Sequence, residues 1–402
     1  MGTSVVFINH TNETFTPTQS GAIATHVCEC YRAALRSGDT PVVISARTSV
    51  APFAGIAALW LDYPRIPEAG IAHCLCRIQR KLNGWRHLRQ RLYGDRIVRT
   101  ILAAGLQHLP FILHNDPELA VLLRRRFPSA FIIHHFHNQI DSTPFFRLRF
   151  SSAANVVSAV SDFTARWIEN CYLLQTNSVR TIYNGVDCRH FTPAPYPSGL
   201  PVINFVGRTG VEKAPDLLLK AALRLAKRGV KFSVQILGSN HWNRLEMDGY
   251  QHELQSLSED LQQLGIPVRR PGHVSRPALP RELQKAHIHV VPSRWDEPFA
   301  LTILEGMACG LATIASRTGG APEVVGRAGL LFERDSVEGL AENLSLLISN
   351  PAVRAEFANK ARARSESFSW DKTWAHFREA AHLAKNDARP LPTSHSQATA
   401  GD

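Results

Sequence analysis

The sequence predicts an α/β protein of two sequential domains, similar in size and facing each other across a cleft. Three observations lead there. Short apolar runs alternate with longer helix-like stretches along the whole chain, the rhythm of βα units around a mainly parallel sheet. Three prolines and a glycine crowd into Pro193–Leu200, just ahead of a fresh strand-like run, and mark a boundary. The chain has 402 residues, 44% hydrophobic and 20% charged, enough for roughly two to three domains with ordinary globular cores. That balance excludes a wholly disordered or fibrous chain.

In chain order, the first domain (1–195) takes strands at Val5–Ile8, Pro41–Ile44, Phe111–His114, Phe131–His134 and Asn155–Ala159. Each is a short apolar run of the kind buried inside a parallel sheet. The second domain (196–369) takes strands at Val202–Val206, Phe232–Leu237, Ile288–Pro292 and Ala312–Ala315, with helices at Pro215–Arg228 and Leu301–Cys309. A last helix at about 370–386 is expected to pack back on the first domain. From about Arg389 the chain is Pro, Ser, Thr and Ala with few large apolar residues, so 387–402 is expected to be disordered. In open α/β sheets, ligands bind beyond the carboxyl ends of the strands, so chemistry is expected on the loops there.

Charge is unevenly distributed. Lys and Arg number 45 against 34 acids, a net charge of +11, which suits an anionic partner. Eight bases (Arg77, Arg80, Lys81, Arg86, Arg89, Arg91, Arg96, Arg99) and one acid, Asp95, fall between 77 and 99, so that segment carries +7 of the +11. Ile78, Leu82, Trp85 and Leu92 form a helical stripe within it, and the segment reads as an amphipathic surface element for anionic lipid. No nucleic-acid-binding motif accompanies the charge, and nucleic acid is not expected as a partner.

The seven cysteines include no C-x-x-C pair and lack zinc spacing, so all are read as reduced thiols. The opening Met1-Gly-Thr-Ser-Val-Val has no basic or apolar leader and no myristoylation pattern, and no apolar run approaches the ~18 residues of a spanning helix. The expected location is cytoplasmic, with peripheral contact at the inner face of the membrane through 77–99.

Two constellations carry chemistry. Gly207-Arg208-Thr-Gly-Val-Glu-Lys213-Ala-Pro215-Asp216 joins a strand to a helix with Pro215 in its first turn. A fixed-charge Arg and a Lys there can clamp a diphosphate. Pro292-Ser-Arg-Trp-Asp-Glu297-Pro-Phe299-Ala300-Leu301 leads on to Glu305. Eight residues are about 2.2 helical turns, so Glu297 and Glu305 are expected to address one side of a helix. Free N–H groups near Phe299, Ala300 and Leu301 suit phosphate oxygens, and the carboxylates suit sugar or ribose hydroxyls.

These residues resemble the nucleotide-sugar site of the retaining glycosyltransferases of family 4, which have the GT-B fold of two Rossmann-like domains. Gly319-Gly320-Ala-Pro-Glu323, Ser158-Ala-Val-Ser161-Asp162, Tyr183-Asn-Gly-Val-Asp187 and Phe368-Ser-Trp370 follow the same family order, and the resemblance spans about 1–385. It implies that Arg208 and Lys213 hold the donor diphosphate and support the departing charge. Glu305 would bind the ribose hydroxyls, Glu297 the donor sugar, and the backbone of Phe299–Leu301 the phosphate. The resemblance also implies a first-domain turn near the donor, here Thr18-Gln-Ser-Gly21-Ala22, which assigns Gly21. A histidine after the strand 131–134 would reach the sugar, matching His137 and, less directly, His135.

The run His134-His135-Phe136-His137 has no carboxylate or cysteine at ligand spacing, so no metal is expected on it. None of the fifteen Asp forms an Asp-x-Asp, and Arg208, Lys213 and a helix terminus would supply the charge that metal supplies elsewhere. The expected activity is metal-independent, retaining hexosyl transfer without a cofactor. GDP-mannose and UDP-hexoses are the leading donors, and a glycan or lipid-linked acceptor of a bacterial surface polysaccharide (lipopolysaccharide included) the acceptor. Contacts to the base are expected around Arg269–His273. A nucleotide-sugar epimerase or phosphorylase of the same fold would need no separate acceptor, and a non-catalytic polyanion- or membrane-binding protein would bind anionic vesicles without donor affinity.

Overall fold

A computed structural model describes residues 4–11, 13–18, 21–63, 88–240 and 249–386. The first domain runs β1 (Ser4–Ile8), α1 (Ala22–Arg36), β2 (Thr40–Ala46), β3 (Ala58–Leu61), α2 (Leu88–Ala103), β4 (Phe111–His114), α3 (Pro117–Arg126), β5 (Ile132–Phe136), α4 (Pro144–Phe150), β6 (Val156–Ala159), α5 (Asp162–Tyr172) and β7 (Arg180–Thr181). Its strands lie in the order β3-β2-β1-β4-β5-β6-β7, all pairs parallel. The order reverses between β1 and β4, the switch point at which open α/β sheets open a crevice.

The second domain runs β8 (Val202–Val206), α6 (Pro215–Ala226), β9 (Ser233–Leu237), α7 (Gly249–Gln263), β10 (Val268–Gly272), α8 (Leu279–Leu283), β11 (Ile288–Val291), α9 (Leu301–Ala308), β12 (Ala312–Ser316), α10 (Ala321–Val325), β13 (Leu330–Phe332), α11 (Val337–Ser349) and α12 (Pro351–Ser365). Its order is β10-β9-β8-β11-β12-β13, again wholly parallel, with the reversal between β8 and β11. Two doubly wound sheets result, as the rhythm of apolar runs predicted.

Central strands are buried on both faces: all four residues of β4, all five of β5 and all five of β12 are buried, the histidines of β4 and β5 included. Helix starts are written locally. Asp116 accepts from Leu119 N at 2.9 Å ahead of Pro117, and Ser161 accepts from Thr164 N at 3.1 Å. The structure lengthens two expected strands. Pro41–Ile44 becomes Thr40–Ala46, and Phe131–His134 becomes Ile132–Phe136, which carries His135 inside the sheet. It also adds β3, β7, β10 and β13, short or half-exposed strands toward the sheet edges with no apolar run to announce them.

The last helix, α13 (Trp370–Asn386), crosses back to the first domain. Its Trp374 ring lies 5.6 Å from Phe7, and Trp374 Nε1 donates to Asp39 at 2.8 Å. The connector between the sheets is tied to its start, since Val186 N donates to Phe368 O at 2.8 Å. A Cβ on Gly185 would lie 2.4 Å from Trp370 N. The motifs at 183–187 and 368–370, far apart in sequence, therefore pack on each other. From α10, the Glu323 carboxylate accepts from Asp162 N and Phe163 N, both at 2.8 Å, capping the first-domain helix α5 with negative charge.

Of the basic segment, only 88–99 belongs to the described residues, at the start of α2. Tyr93 and Ile97 are buried there, while Leu92, Arg89 and Arg99 are exposed. Ile78, Leu82 and Trp85, and the tail 387–402, lie outside the described residues. Among the described residues no helix is long and apolar enough to cross a membrane.

Candidate active site

The loop after β8 (207–214) and the loop after β11 (292–300) are laced together at the carboxyl ends of the second sheet. Arg294 N and Trp295 N donate to Glu212 O at 2.9 and 3.2 Å. The Arg294 guanidinium grips Asp216 through two bonds of 2.7 Å, and Lys220 at 2.9 Å and the Tyr250 hydroxyl also donate to that carboxylate. Asp216 is the second residue of α6, so this clamp fixes the helix start against the loop that carries Glu297. Fork-to-carboxylate pairing of this kind adds geometry as well as energy.

Because the loops are held this way, Lys213 Nζ forms an ion pair with Glu297 Oε1. Ser293 Oγ donates to the same oxygen at 2.6 Å, and the ammonium lies 5.4 Å from the Trp295 ring centre. Glu297 is 5% exposed. Its carbonyl accepts from Gly320 N at 2.7 Å. Arg208 is exposed and pairs with Glu212 at 3.2 Å. It lines a pocket of 180 Å³ with Gly207, Gly238, Ser239, His273 and Val274. A side chain at Gly238 would strike Gly207 O at 1.8 Å, so glycine there lets the ends of β8 and β9 meet under the pocket.

The relation of the two glutamates differs from the expected one. α9 starts at Leu301, so Glu297 lies four residues ahead of the helix, and a spacing of two turns does not bring it to Glu305. The loop lacing and the Gly319–Gly320 backbone place it instead. Glu305, on α9, is buried and paired with Arg276 at 2.8 Å. Phe299 is buried, Ala300 turns through a left-handed conformation (φ 58°), and Leu301 opens the helix with no side-chain cap. Of the predicted base contacts, Arg269 sits on the edge strand β10 paired with Glu282 at 2.6 Å, whereas His273 lines the Arg208 pocket.

On the first-domain side, Gly21 precedes α1 and donates to Glu13 Oε2 at 2.8 Å. His137 is 5% exposed and His135 fully buried, so neither is the surface group that a strand end would present. Both sit in a cluster of imidazoles with His26 and His114. A 280 Å³ cleft between the domains is bordered by Glu29, Arg32, Asp187, His190 and Arg276. Asp216, Ser293 and Arg294 lie within the two sequence constellations but were given no role there, and Arg276 and Gly238 were not singled out. Arg294 stands three positions before Glu297 and Asp216 directly after Pro215, but their pairing joins residues 78 apart.

The Asp216 clamp has a pH signature. Burial alone would raise this carboxyl, but bonds from Arg294, Tyr250 and Lys220 outweigh it and hold it at about 2, below the usual 3.8. The stability it supplies is thus complete above about pH 4 and disappears as pH falls toward 2. Urea unfolding between pH 2.5 and 6 should show a steeper acid loss for wild type than for Asp216→Asn. Equal slopes would remove the clamp from the stability of this fold.

Two facing parallel α/β domains, with a cation–carboxylate cluster on the second sheet's loops, define the GT-B class of protein. Residues 190–364 match the model of the family described as glycosyl transferases group 1. The D-inositol 3-phosphate glycosyltransferase of Arthrobacter sp. (strain FB24) is 31% identical over 229 residues, 53% of this chain and 52% of the relative. The chain thus spans about half the length of that relative. Sucrose-phosphate synthase from Thermosynechococcus elongatus superposes with TM-score 0.74 at 16% identity, over 96% of this chain and 100% of the other. HepE of Anabaena, solved with UDP and glucose, superposes with TM-score 0.67 at 16% identity, over 94% of this chain and 99% of the other.

Proposed function

We propose that this chain is a retaining, metal-independent hexosyltransferase that moves a sugar from a nucleotide donor, GDP-mannose or a UDP-hexose, to a glycan or lipid-linked acceptor of a bacterial surface polysaccharide. The observation that carries the reading is the Lys213–Glu297 pair, which joins the loops after β8 and β11 at the carboxyl ends of the second sheet, with Arg208 on the first of those loops. Lys213 and Arg208 hold the diphosphate, and the backbone at Phe299–Leu301 completes its cradle. Glu297 takes the sugar hydroxyls, and Glu305 exchanges Arg276 for the ribose. Gly21 and His137 are the first-domain groups offered to the donor, His137 by its place directly after β5. An acceptor hydroxyl attacks the anomeric carbon on the face that the diphosphate leaves. The new C–O bond forms as the bond to phosphate breaks, and the acceptor proton passes to the departing phosphate oxygen. Two fixed cations oppose the charge that develops there. The solved relative holding UDP and glucose supports a nucleotide-sugar site of this kind.

Thermal-shift titration with GDP, UDP, ADP and their sugars, EDTA present throughout, tests the donor site. A base-selective rise is expected, about 2.7 kcal/mol of added stability at a hundred times Kd. No shift with any nucleotide would overturn the reading.

The reading extends to peripheral contact with anionic membrane through 77–99, supported by the exposed Arg89 and Arg99 on α2. Pelleting with phosphatidylglycerol vesicles at low salt should weaken in an Arg89→Glu/Arg99→Glu variant. Wild-type protein that stays in the supernatant would sink that extension.

A further inference from the structure

The described residues that best repay a separate look are four imidazoles inside the first domain. His26 comes from α1, His114 from the end of β4, His135 from β5 and His137 from the residue after β5. Exposure is 0, 1, 0 and 5% respectively. Ring centres are 4.6 Å apart for His26–His137, 5.1 Å for His114–His137 and 4.7 Å for His135–His137. One ligand atom from each of His26, His114 and His137 falls within 4.8 Å of the others. Trp370 and Phe377 of α13 cover the His26 ring at 5.5 and 5.8 Å, so the lid of the cluster is aromatic.

Counting protons shows what the cluster lacks. Asn184 Oδ1 lies 2.7 Å from His26 Nδ1 and takes its N–H, leaving a lone pair on Nε2, 3.4 Å from the Cys30 thiol. Ser158 Oγ, which donates onward to His134 O, lies 2.9 Å from His135 Nδ1, and His135 Nε2 has no partner among the described residues. His114 Nδ1 and His137 Nε2 share one proton at 3.0 Å, while His114 Nε2 and His137 Nδ1 are both buried without a partner among the described residues. Either tautomer of that pair leaves one N–H and one lone pair unsatisfied. Buried polar nitrogens are seldom left so.

We propose that His26, His114 and His137 form a structural binding site for one divalent transition ion of the zinc class. Neutral imidazole donors select zinc and its late first-row neighbours over magnesium or calcium, which want oxygen. Small ring rotations bring three such nitrogens to about 2.0–2.1 Å from one ion, with His135 Nε2 or a water as fourth donor. Asn184 fixes the tautomer of His26 as outer partners of metal-bound histidines do. It sits in the connector between the sheets, beside Gly185, which packs on Trp370. The ion would therefore pin α1, β4, β5 and the connector at the joint where α13 docks. The ion would take His137 away from the groups offered to the donor, while the diphosphate clamp of the proposed transfer reaction lies in the other domain and is untouched.

Untagged full-length protein from zinc-supplemented culture should retain about one zinc per chain through gel filtration, the stoichiometry of one buried site. Chelator-stripped protein should melt lower and recover with Zn²⁺ but not Mg²⁺. Co²⁺ should give the visible absorption of a tetrahedral nitrogen site. His114→Gln should abolish retention, and Asn184→Ala should weaken zinc about 10- to 100-fold. Wild type that neither retains zinc nor shifts its melting with Zn²⁺ or chelator overturns the proposal, leaving imidazoles bonded to one another or to a buried water. Equal affinity in Asn184→Ala overturns His26 as a ligand. Should His114→Gln fail to fold, the wild-type and Asn184→Ala measurements still decide. Because the nucleotide titration is read at fixed EDTA, a change of baseline melting is separate from a nucleotide-dependent shift.

Discussion

Sugar transfer by Lys213→Met should fall about 10²–10³-fold, or about 2.7–4 kcal/mol of transition-state stabilisation, the usual cost of deleting one group aimed at developing charge. Of the two cations in the clamp, Arg208 is exposed, whereas the Lys213 side chain is 21% exposed and held between Glu297 and the Trp295 ring. A charge already held in place needs no reorganisation when the diphosphate departs. Met keeps the stem and removes the ammonium, so the loss should appear chiefly in kcat. The same change leaves Glu297 buried with only the Ser293 bond on its paired oxygen, so some loss of melting temperature should accompany it. Glu297→Gln separates the two effects. The Ser293 bond can survive, the ion pair cannot, and the sugar loses a strong acceptor. Because the pair acts as a unit, the double variant should lose far less than the product of the single losses. Steady-state and single-turnover kinetics with circular dichroism check this. Wild-type turnover in Lys213→Met would remove it from the site.

The central strands were legible because both faces of each are buried, which leaves a mostly apolar signature in β1, β4, β8 and β11, broken only by single polar residues such as Asn204 and His289. β10 was not legible, because Val268-Arg-Arg-Pro-Gly is half exposed at an edge and alternates with solvent. The loops after β8 and β11 that carry Arg208, Lys213 and Glu297 could be placed as well, since each follows a clean apolar strand. What joins them could not. Arg294 meets Asp216 across 78 positions, and Ser316 Oγ reaches Ser293 O across 23. Such pairings belong to the folded sheet, and no local spacing encodes them. The histidines make the same point. The run at 134–137 looks ligand-poor along the chain, and only the parallel register of β4 with β5, and α1 beside them, adds His114 and His26.

Gly319→Ala should unseat Glu297 without touching any charged group. Gly319 has φ +53°, and an added Cβ would lie 2.1 Å from Glu297 O, 2.6 Å from Glu297 N and 2.7 Å from the Asp296 carbonyl carbon. All three are backbone atoms, so no side chain can swing aside. The 293–298 loop must move. Left-handed strain together with overpacking should cost about 3 kcal/mol or more. Gly229→Ala is the control in the same domain, with φ +80° and nothing within 4 Å of the added carbon. It carries the strain alone, about 1–2 kcal/mol, and should leave turnover intact. If the template is the backbone of Gly319 and Gly320, whose N–H holds Glu297 O at 2.7 Å, Gly319→Ala should lose about 10²-fold in turnover at a temperature where it is still folded, as misplacement by about 1 Å does. Matched melting curves and initial rates for the two variants separate displacement from strain. Equal stability and equal turnover in both would mean that Glu297 is placed by the Arg294–Asp216 clamp alone.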